Sequence, residues 1–145
     1  YGEFGASLEV WHHTQLLQSL VASGKLKSAS EVGLTYHDPC YLGRVNGEVE
    51  APRALLGPIT EPASHGRKTL CCGAGGGRMW MDESPEQRPA IVRMNELAQT
   101  GANTVALGCP FCRIMLETGR TAETPEMRLA DVAELLLEAN PKPGP

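Results

Sequence analysis

Two adjacent cysteines lead directly into a glycine-rich segment, and this stretch limits most strongly what the chain can fold into. Cys71 and Cys72 are followed by Gly73, Ala74, three more glycines and Arg78. A segment with so few side chains cannot form a core, but its backbone can approach another group closely. In a flat strand the two cysteines would face opposite sides, so both sulfurs can serve one site only if Gly73 supports a sharp turn. We therefore expect a binding loop here.

The cysteines of the chain predict a metal site. The 145 residues include five cysteines, which lie in three short groups: Cys40, then Cys71 and Cys72, then Cys109 and Cys112. An odd number of clustered cysteines is a poor disulfide framework and favours metal binding in a reducing compartment. Thiolates select zinc, Cu(I) or iron–sulfur clusters. A single zinc takes four ligands and would not need a fifth sulfur or the clearance that the glycines leave. A structural zinc module and a metal-free vicinal-dithiol redox domain stay open as alternatives, since C-x-x-C motifs occur in both.

Charge and hydropathy argue against several other classes. The net charge is −4 and no run of Lys or Arg occurs, so a nucleic-acid partner is not expected. No apolar stretch approaches the roughly 18 residues of a membrane helix. The glycine run fits neither the dinucleotide nor the P-loop pattern, which argues against a nucleotide site. We expect a single domain over residues 1–139 and a flexible proline-rich tail over 140–145, within a longer protein.

The pattern of apolar residues and turn signals predicts alternating strands and helices. We expect strands at 32–37, 68–70, 104–107 and 127–129, and helices at 8–23, 52–56, 84–100, 113–117 and 131–139. Gly24 is placed to end the first helix, Ser84 to cap the third and Asp131 to cap the last. This order predicts an α/β fold with a largely parallel sheet and flanking helices. Each cysteine group follows a predicted strand, so the three loops should converge at the carboxyl ends of the strands.

Several polar and apolar residues near the cysteines require an interpretation. His12 and His13 are expected to be surface or packing residues, because no spacing ties them to a cysteine motif. His37 and Asp38 are predicted to fix the loop before Cys40 rather than to relay a proton, since Asp-Pro is common turn chemistry. The apolar residues 79–81 are expected to belong to the core rather than to a docking surface.

Three motifs together resemble a known family. Residues 36–44 read YHDPCYLGR, residues 70–77 read LCCGAGGG, and residues 109–112 read CPFC. They are similar to the cysteine-rich "CCG" domain of heterodisulfide reductases and of the iron–sulfur subunits of glycolate, lactate and glycerol-3-phosphate oxidoreductases. Thirty residues separate Cys40 from Cys71 and 36 separate Cys72 from Cys109. The first gap is about one residue shorter than is usual in that family, a difference that a loop absorbs easily.

The resemblance implies a cofactor and its ligands. In heterodisulfide reductases all five cysteines hold a non-cubane [4Fe-4S] cluster, whereas a cubane cluster would use four and leave one free. By this resemblance Cys40, Cys71, Cys72, Cys109 and Cys112 are the expected metal ligands. The glycines Gly73, Gly75 and Gly76 would make room for the cluster. Arg44 and Arg78 would offset its negative charge, or would instead be ordinary surface cations.

The resemblance also implies a function and a setting. The domain would relay electrons between a flavoprotein or dithiol and a quinone or disulfide, as part of an oxidoreductase and not as an enzyme active alone. A second CCG copy, a ferredoxin-like module and a membrane part are expected elsewhere in the parent protein. An electron-transfer flavoprotein is the expected donor. The parent protein is expected to be cytoplasmic and membrane-associated.

Overall fold

A three-stranded parallel sheet forms the centre of the molecule, whose computed structural model describes residues 2–122, 124 and 126–141. The strands are β1 (Leu34–His37), β2 (Thr104–Leu107) and β3 (Arg128–Asp131), and they lie side by side in chain order. Both pairings are parallel, with Leu34 opposite Thr104 and Thr104 opposite Arg128. The prediction of an α/β fold with a parallel sheet is therefore confirmed.

Five α-helices connect and flank these strands in the part of the chain that the structure describes. They are α1 (His13–Ala22), α2 (Glu50–Leu55), α3 (Pro89–Ala98), α4 (Pro110–Thr118) and α5 (Val132–Ala139). Shorter helical turns are the 3-10 segments Gly2–Phe4, Gly66–Lys68, Gly75–Trp80 and Pro85–Gln87 and the π-helical turn Tyr41–Val45. No helix among the described residues is long and apolar enough to cross a membrane.

The sheet separates two apolar clusters because successive side chains of a strand point to opposite faces. On one face Val105, Leu107 and Leu129 pack with buried residues of α3 and α4. On the other face Leu34, Tyr36, Ala106 and Ala130 pack with residues of α2 and α5 and with the inner side of α1. All four residues of β1 and of β2 are buried, as expected for parallel strands covered on both faces. Cys72 and Cys112 belong to the first cluster, so the cysteine site lies against the α3–α4 side.

The predicted strand at residues 68–70 is wrong. Gly66–Lys68 forms a 3-10 turn and Thr69 and Leu70 have no regular structure. The Arg44 side chain donates to the carbonyls of Arg67 and Thr69, which satisfies backbone groups that a strand ladder would otherwise use. Among the described residues, the sheet position beside β1 holds only an isolated bridge between Leu34 and Ile59.

Two predicted helices begin later than expected. The first helix starts at His13 instead of residue 8, because His12 caps it in a capping box with Gln15. Val10, which the apolar periodicity places on the inner face of that helix, is 78% exposed. The helix predicted from residue 84 is divided, since Pro89 holds Arg88 in an extended conformation before α3 begins. Ser84 makes no side-chain cap bond.

Other boundaries shift by a few residues, while the caps that carry clear chemistry are confirmed. Asp131 caps α5 in a capping box with Glu134, as predicted. Gly24 adopts φ 72° just beyond α1, where a left-handed residue ends a helix. Helix α4 begins at Pro110, before the predicted residue 113, which brings Cys112 into its first turn. In the predicted tail, Asn140 bonds to the backbone of Lys27, and residues 142–145 lie outside the described residues.

Candidate metal centre

Cys40 is held at the end of β1 by a buried carboxylate. Asp38, 2% exposed, accepts two hydrogen bonds from Arg53 at 2.7 and 2.8 Å and one from the backbone N–H of Gly66 at 2.7 Å. These bonds connect the loop before Cys40 to α2 and to the segment that precedes Cys71. Asp38 therefore has the loop-fixing role expected of it, and it joins two of the cysteine loops.

Cys71 and Cys72 lie in a turn made possible by a glycine. Gly73 has φ 91°, a conformation that L-residues with a side chain rarely adopt. Its N–H donates to Cys71 Sγ at 3.3 Å, and the nearby backbone N–H of Ala74 helps to lower the pKa of Cys72. No strand leads into this pair, so the expectation that every cysteine group follows a strand is wrong here. The pair is positioned instead by the Arg44 side chain, which bonds to the carbonyl of Thr69.

Cys109 and Cys112 lie at the start of α4. Cys109 is the residue before the helix and Pro110 is its first residue, a position that suits proline because its missing N–H has no helical partner there. The N–H groups of Phe111 and Cys112 point at Cys109 Sγ. A helix N-terminus that directs amides at a sulfur favours its anionic form.

The three loops bring four of the five cysteines together around one cavity of about 400 Å³. Cys40, Cys72, Cys109 and Cys112 line it, together with Gly75 and other loop residues. Cys71 does not line the cavity but is close enough to Cys40 to raise the pKa of its thiol. Cys72 and Cys112 are buried, the other three are half-buried, and all five are free thiols. A reduced set of five converging thiols is a donor set for a soft metal.

The thiols around the cavity differ in pKa because they form hydrogen bonds with one another. Hydrogen bonding to the Cys112 thiol lowers the pKa of Cys72 to about 4 and that of Cys109 to about 6. The pKa of Cys112 is raised, because its proton serves both Cys109 and Cys72. Burial and the neighbouring Cys71 raise the pKa of Cys40. Cysteine binds metal as the deprotonated thiolate, so the lowered pKa values of Cys72 and Cys109 favour metal binding at this site.

The remaining residues expected at the site divide into two groups. Gly75 lines the cavity, Gly73 makes the turn, and Arg44 reaches between the Cys40 loop and the Cys71 loop. Gly76 does not line the cavity, although its φ of 65° bends the loop. Arg78 does not line it either, and its guanidinium is paired with Glu83 at 2.7 Å.

The histidines at residues 12 and 13 and the apolar residues at 79–81 lie outside this cavity or at its edge. His12 is a helix cap, and His13 lies 3.8 Å from Asp131. Met79 packs against the core, as expected for residues 79–81. Trp80 and Met81 are 82% and 63% exposed, so the expectation of core packing is wrong for these two.

Two buried polar side chains lie next to the sulfurs: His37, which was predicted to fix the loop before Cys40, and Arg93, for which no role was predicted. A ring nitrogen of His37 and the sulfurs of Cys72 and Cys112 all lie within 4.8 Å of one another. His37 is bonded through Nδ1 to Arg93, whose side chain is fully buried. Arg93 falls on the same helix face as the buried Ala90, Met94 and Leu97. A charged residue on this apolar face was the sequence signal that could have indicated a buried, functional arginine.

A profile of the cysteine-rich domain family named CCG matches residues 34–117. The match begins at β1 and ends in α4, so it contains all five cysteines and the loops that carry them. More than half of the chain is covered.

Curated relatives extend the similarity over nearly the whole chain. An "EtfAB:quinone oxidoreductase" of Syntrophomonas wolfei is 38% identical, over 96% of this chain and 22% of the relative. A "Probable membrane-anchored ferredoxin" of Chromohalobacter salexigens is 40% identical, over 92% of this chain and 21% of the relative. A subunit of the dihydromethanophenazine:CoB–CoM heterodisulfide reductase of Methanosarcina barkeri is 36% identical, over 90% and 34%. The chain thus spans about a fifth to a third of the length of these relatives.

Proposed function

The chain belongs to the CCG family of cysteine-rich domains, and we propose that it is an iron–sulfur electron-transfer domain of a larger oxidoreductase. The observation that carries the proposal is the convergence of free thiols from three separate loops: four of them line one cavity, and the fifth, Cys71, lies next to Cys40. The names of the relatives agree with it, since they are an oxidoreductase, a ferredoxin and part of a heterodisulfide reductase.

The donor set and the space fit a cluster better than a single small ion. Iron–sulfur clusters are held by cysteine thiolates, and a cavity of about 400 Å³ is far larger than one zinc requires. A side chain at Gly75 would project into open space, because no atom lies within 4 Å of the position its Cβ would take.

Under this proposal the five cysteines would be the ligands of a [4Fe-4S] cluster, in the non-cubane form if all five are required. When bound, such a cluster accepts and releases single electrons. The chain holds the sulfurs in place, directs backbone N–H groups at Cys71, Cys72 and Cys109, and buries two of the thiols away from water. Hydrogen bonds to sulfur and exclusion of water are the means by which proteins set the potential of a cluster.

The electron partners belong to the parent protein and are part of the proposal. A relative named for EtfAB and quinone supports a flavoprotein as donor and a quinone as acceptor. A relative named as part of a heterodisulfide reductase supports a dithiol–disulfide couple instead. A membrane-anchored relative supports association of the parent protein with a membrane. We propose the flavoprotein-to-quinone direction, because the relative with that name matches 96% of this chain.

A structural zinc site is the second candidate, and one observation favours it. His37, Cys72 and Cys112 are all buried and their ligand atoms lie within 4.8 Å of one another. With Cys109 they would form a Cys₃His set of the kind found in structural zinc sites. This arrangement leaves Cys40 and Cys71 without a role.

Metal analysis of the anaerobically purified full-length protein separates these candidates. We expect iron and sulfide at about four atoms each for this domain, beyond those of any other cluster in the protein, and an EPR signal that depends on redox state. One zinc for this domain and no EPR signal would instead support the structural site. Metal-free protein that forms a disulfide on mild oxidation and loses it on reduction would support a dithiol redox domain.

Single Cys→Ser substitutions then separate the two types of cluster. A non-cubane cluster requires all five cysteines, so each substitution should remove or change the signal. A cubane cluster requires four, so one of the five variants should keep the wild-type spectrum. Ala98→Ser is the matched control, because Ala98 packs against the same apolar cluster without lining the cavity.

A further inference from the structure

His37 and Arg93 form a buried pair beside the sulfurs. His37 is the last residue of β1, Arg93 lies in α3, and both side chains have 0% exposure. Arg93 Nε donates to His37 Nδ1 at 2.9 Å. An arginine has only donors, so the partner nitrogen must provide the lone pair.

This hydrogen bond fixes the proton of the imidazole ring. A neutral histidine carries one proton, and because Nδ1 accepts from Arg93 the proton is on Nε2. Among the described residues, this Nε2 is buried and has no hydrogen-bond partner, sulfur included. The sulfurs of Cys72 and Cys112 are the polar atoms near the ring, since a ring nitrogen lies within 4.8 Å of both.

We propose that His37 is a positioning residue whose unpaired Nε2–H becomes a donor to the Cys72 sulfur in the cluster-bound protein and so raises the reduction potential of the cluster. This inference rests on the proposed iron–sulfur function. A donor aimed at a ligand sulfur offsets the negative charge that an added electron brings, and therefore favours the reduced state.

The arrangement is the reverse of the one that a metal-binding histidine shows. A histidine that binds metal through one nitrogen donates the N–H of the other to a carboxylate, a carbonyl or water. Here the second nitrogen accepts a hydrogen bond, and Nε2 keeps a proton that would block a metal. His37 is therefore a donor to the ligand shell and not a ligand.

Arg93 is itself held in place, which makes the tautomer of His37 a fixed property of the fold. Its NH1 donates to the Ser64 carbonyl at 2.8 Å and to the Glu96 carboxylate. Glu96 in turn accepts from the Ser64 N–H at 2.8 Å. The carboxylate balances the buried guanidinium charge, so the pair brings a directed N–H to the sulfurs without a net buried charge.

The first test reads the tautomer without any cofactor. Histidine labelled with ¹⁵N is incorporated, and the ring ¹⁵N shifts of His37 are measured by NMR in the metal-free chain, with His37→Gln used to assign the signal. We expect the Nε2–H form with Nδ1 as acceptor. An Nδ1–H form would overturn the proposal, and it is the form that a zinc-binding His37 would require on metal addition.

The second test reads the potential of the cluster in the full-length protein. His37→Asn keeps a short polar group that can accept from Arg93 but does not reach the sulfurs, whereas His37→Gln places an amide N–H near the position of Nε2. For His37→Asn we expect a ratio of reduced to oxidised cluster about tenfold lower at a fixed potential, which is about 59 mV for one electron. His37→Gln should recover most of this change. His65→Gln is the matched control, because His65 bonds to the Pro62 carbonyl and not to the sulfurs.

Each outcome has a definite meaning. Equal potentials for wild type and His37→Asn at equal iron content would overturn the proposal, as would the strong nitrogen coupling of a directly bound imidazole in the wild-type EPR spectrum. If His37→Asn does not fold, Arg93→Lys provides the second variant: it removes the Nε–H donor, and the tautomer should become mixed. A wild-type protein without iron–sulfur signals overturns the proposed function and the tuning role with it. The tautomer measurement needs no cluster, so it shows separately whether the donor geometry of His37 is correct.

Discussion

Asp38 shows how one residue can organise a site without facing its cavity. Its carboxylate accepts from Arg53 and from the Gly66 backbone, and it is almost completely buried. A buried carboxylate needs such partners, because desolvation of an unpaired charge is very costly. The same bonds fix the loop that carries Cys40 relative to the loop that leads to Cys71.

Removal of the Asp38 carboxylate should therefore destabilise the protein strongly. For Asp38→Ala we expect the free energy of unfolding to fall by about 3–5 kcal/mol, since the half-buried Arg53 loses its buried partner and the Gly66 N–H loses its acceptor. Glu61→Ala removes the other, more exposed carboxylate that Arg53 contacts and should cost roughly 1 kcal/mol or less. Urea unfolding of the metal-free protein measures both, and equal losses would contradict the proposed importance of burial.

Gly73 sets the turn between the adjacent cysteines, and its replacement should be costly for two reasons. Its φ is 91°, and a Cβ there would lie 3.3 Å from the Cβ of Pro89. Gly73→Ala should lower the free energy of unfolding by about 1–3 kcal/mol. Gly77→Ala is the matched variant, because Gly77 also has positive φ but has no atom within 4 Å of that position. If thermal unfolding shows no difference between the two, the contact with Pro89 is unimportant.

At the scale of elements, α4 serves the site at one end and the core at the other. Its N-terminal turn contains Cys112 and directs backbone N–H groups at Cys109. Its last turn leads to Gly119, which lies against the backbone of Ala90 at the start of α3. The close approach of the two helices therefore depends on the absence of a side chain at Gly119.

Substitution of Gly119 should push the two helices apart. A Cβ there would lie 2.4 Å from the Ala90 carbonyl oxygen, a contact that backbone must move to relieve. For Gly119→Ala we expect a loss of about 1–3 kcal/mol in the free energy of unfolding, typical of overpacking. In Gly75→Ala the added methyl meets no atom within 4 Å, so the stability of the metal-free protein should be nearly unchanged. Chemical denaturation checks both values.

At the scale of the whole molecule, the sheet brings together loops that are far apart in the chain. Cys40 follows β1, Cys109 follows the neighbouring strand β2, and the Cys71–Cys72 turn is attached to both through side-chain hydrogen bonds and packing. The site therefore requires the folded sheet, and metal bound to these loops in turn stabilises the fold.

Metal removal should change the reactivity of the thiols in a defined order. In the metal-free protein, Cys40, Cys71 and Cys109 should react with iodoacetamide faster than the buried Cys72 and Cys112, because a thiolate reacts only where the reagent reaches it. With the cluster bound, all the ligand cysteines should be protected. Mass spectrometry of the alkylated peptides measures the order, and faster labelling of Cys72 than of Cys71 would contradict the packing described.

Local sequence signals predicted much of the fold. Short buried runs predicted strands at residues 32–37 and 104–107, which form at 34–37 and 104–107, and the side-chain chemistry of Asp131 predicted its cap. The strand expected at residues 68–70 did not form, because the Arg44 side chain, which is distant in the chain, takes the carbonyls of that segment. Helix starts moved where His12 and Pro89 imposed local geometry that the apolar periodicity does not contain.

The sequence by itself determined the family and the five thiols, because residue type and the spacing of the cysteines and glycines can be read directly from the chain. Only the tertiary structure decided which side chains surround those sulfurs. His37 and Arg93 are separated by more than fifty residues, and their hydrogen bond exists because α3 packs against the sheet that contains β1. The tautomer of His37 cannot be predicted from neighbouring residues in the sequence, because it depends on the Arg93 Nε–H donor, which only folding brings next to the ring.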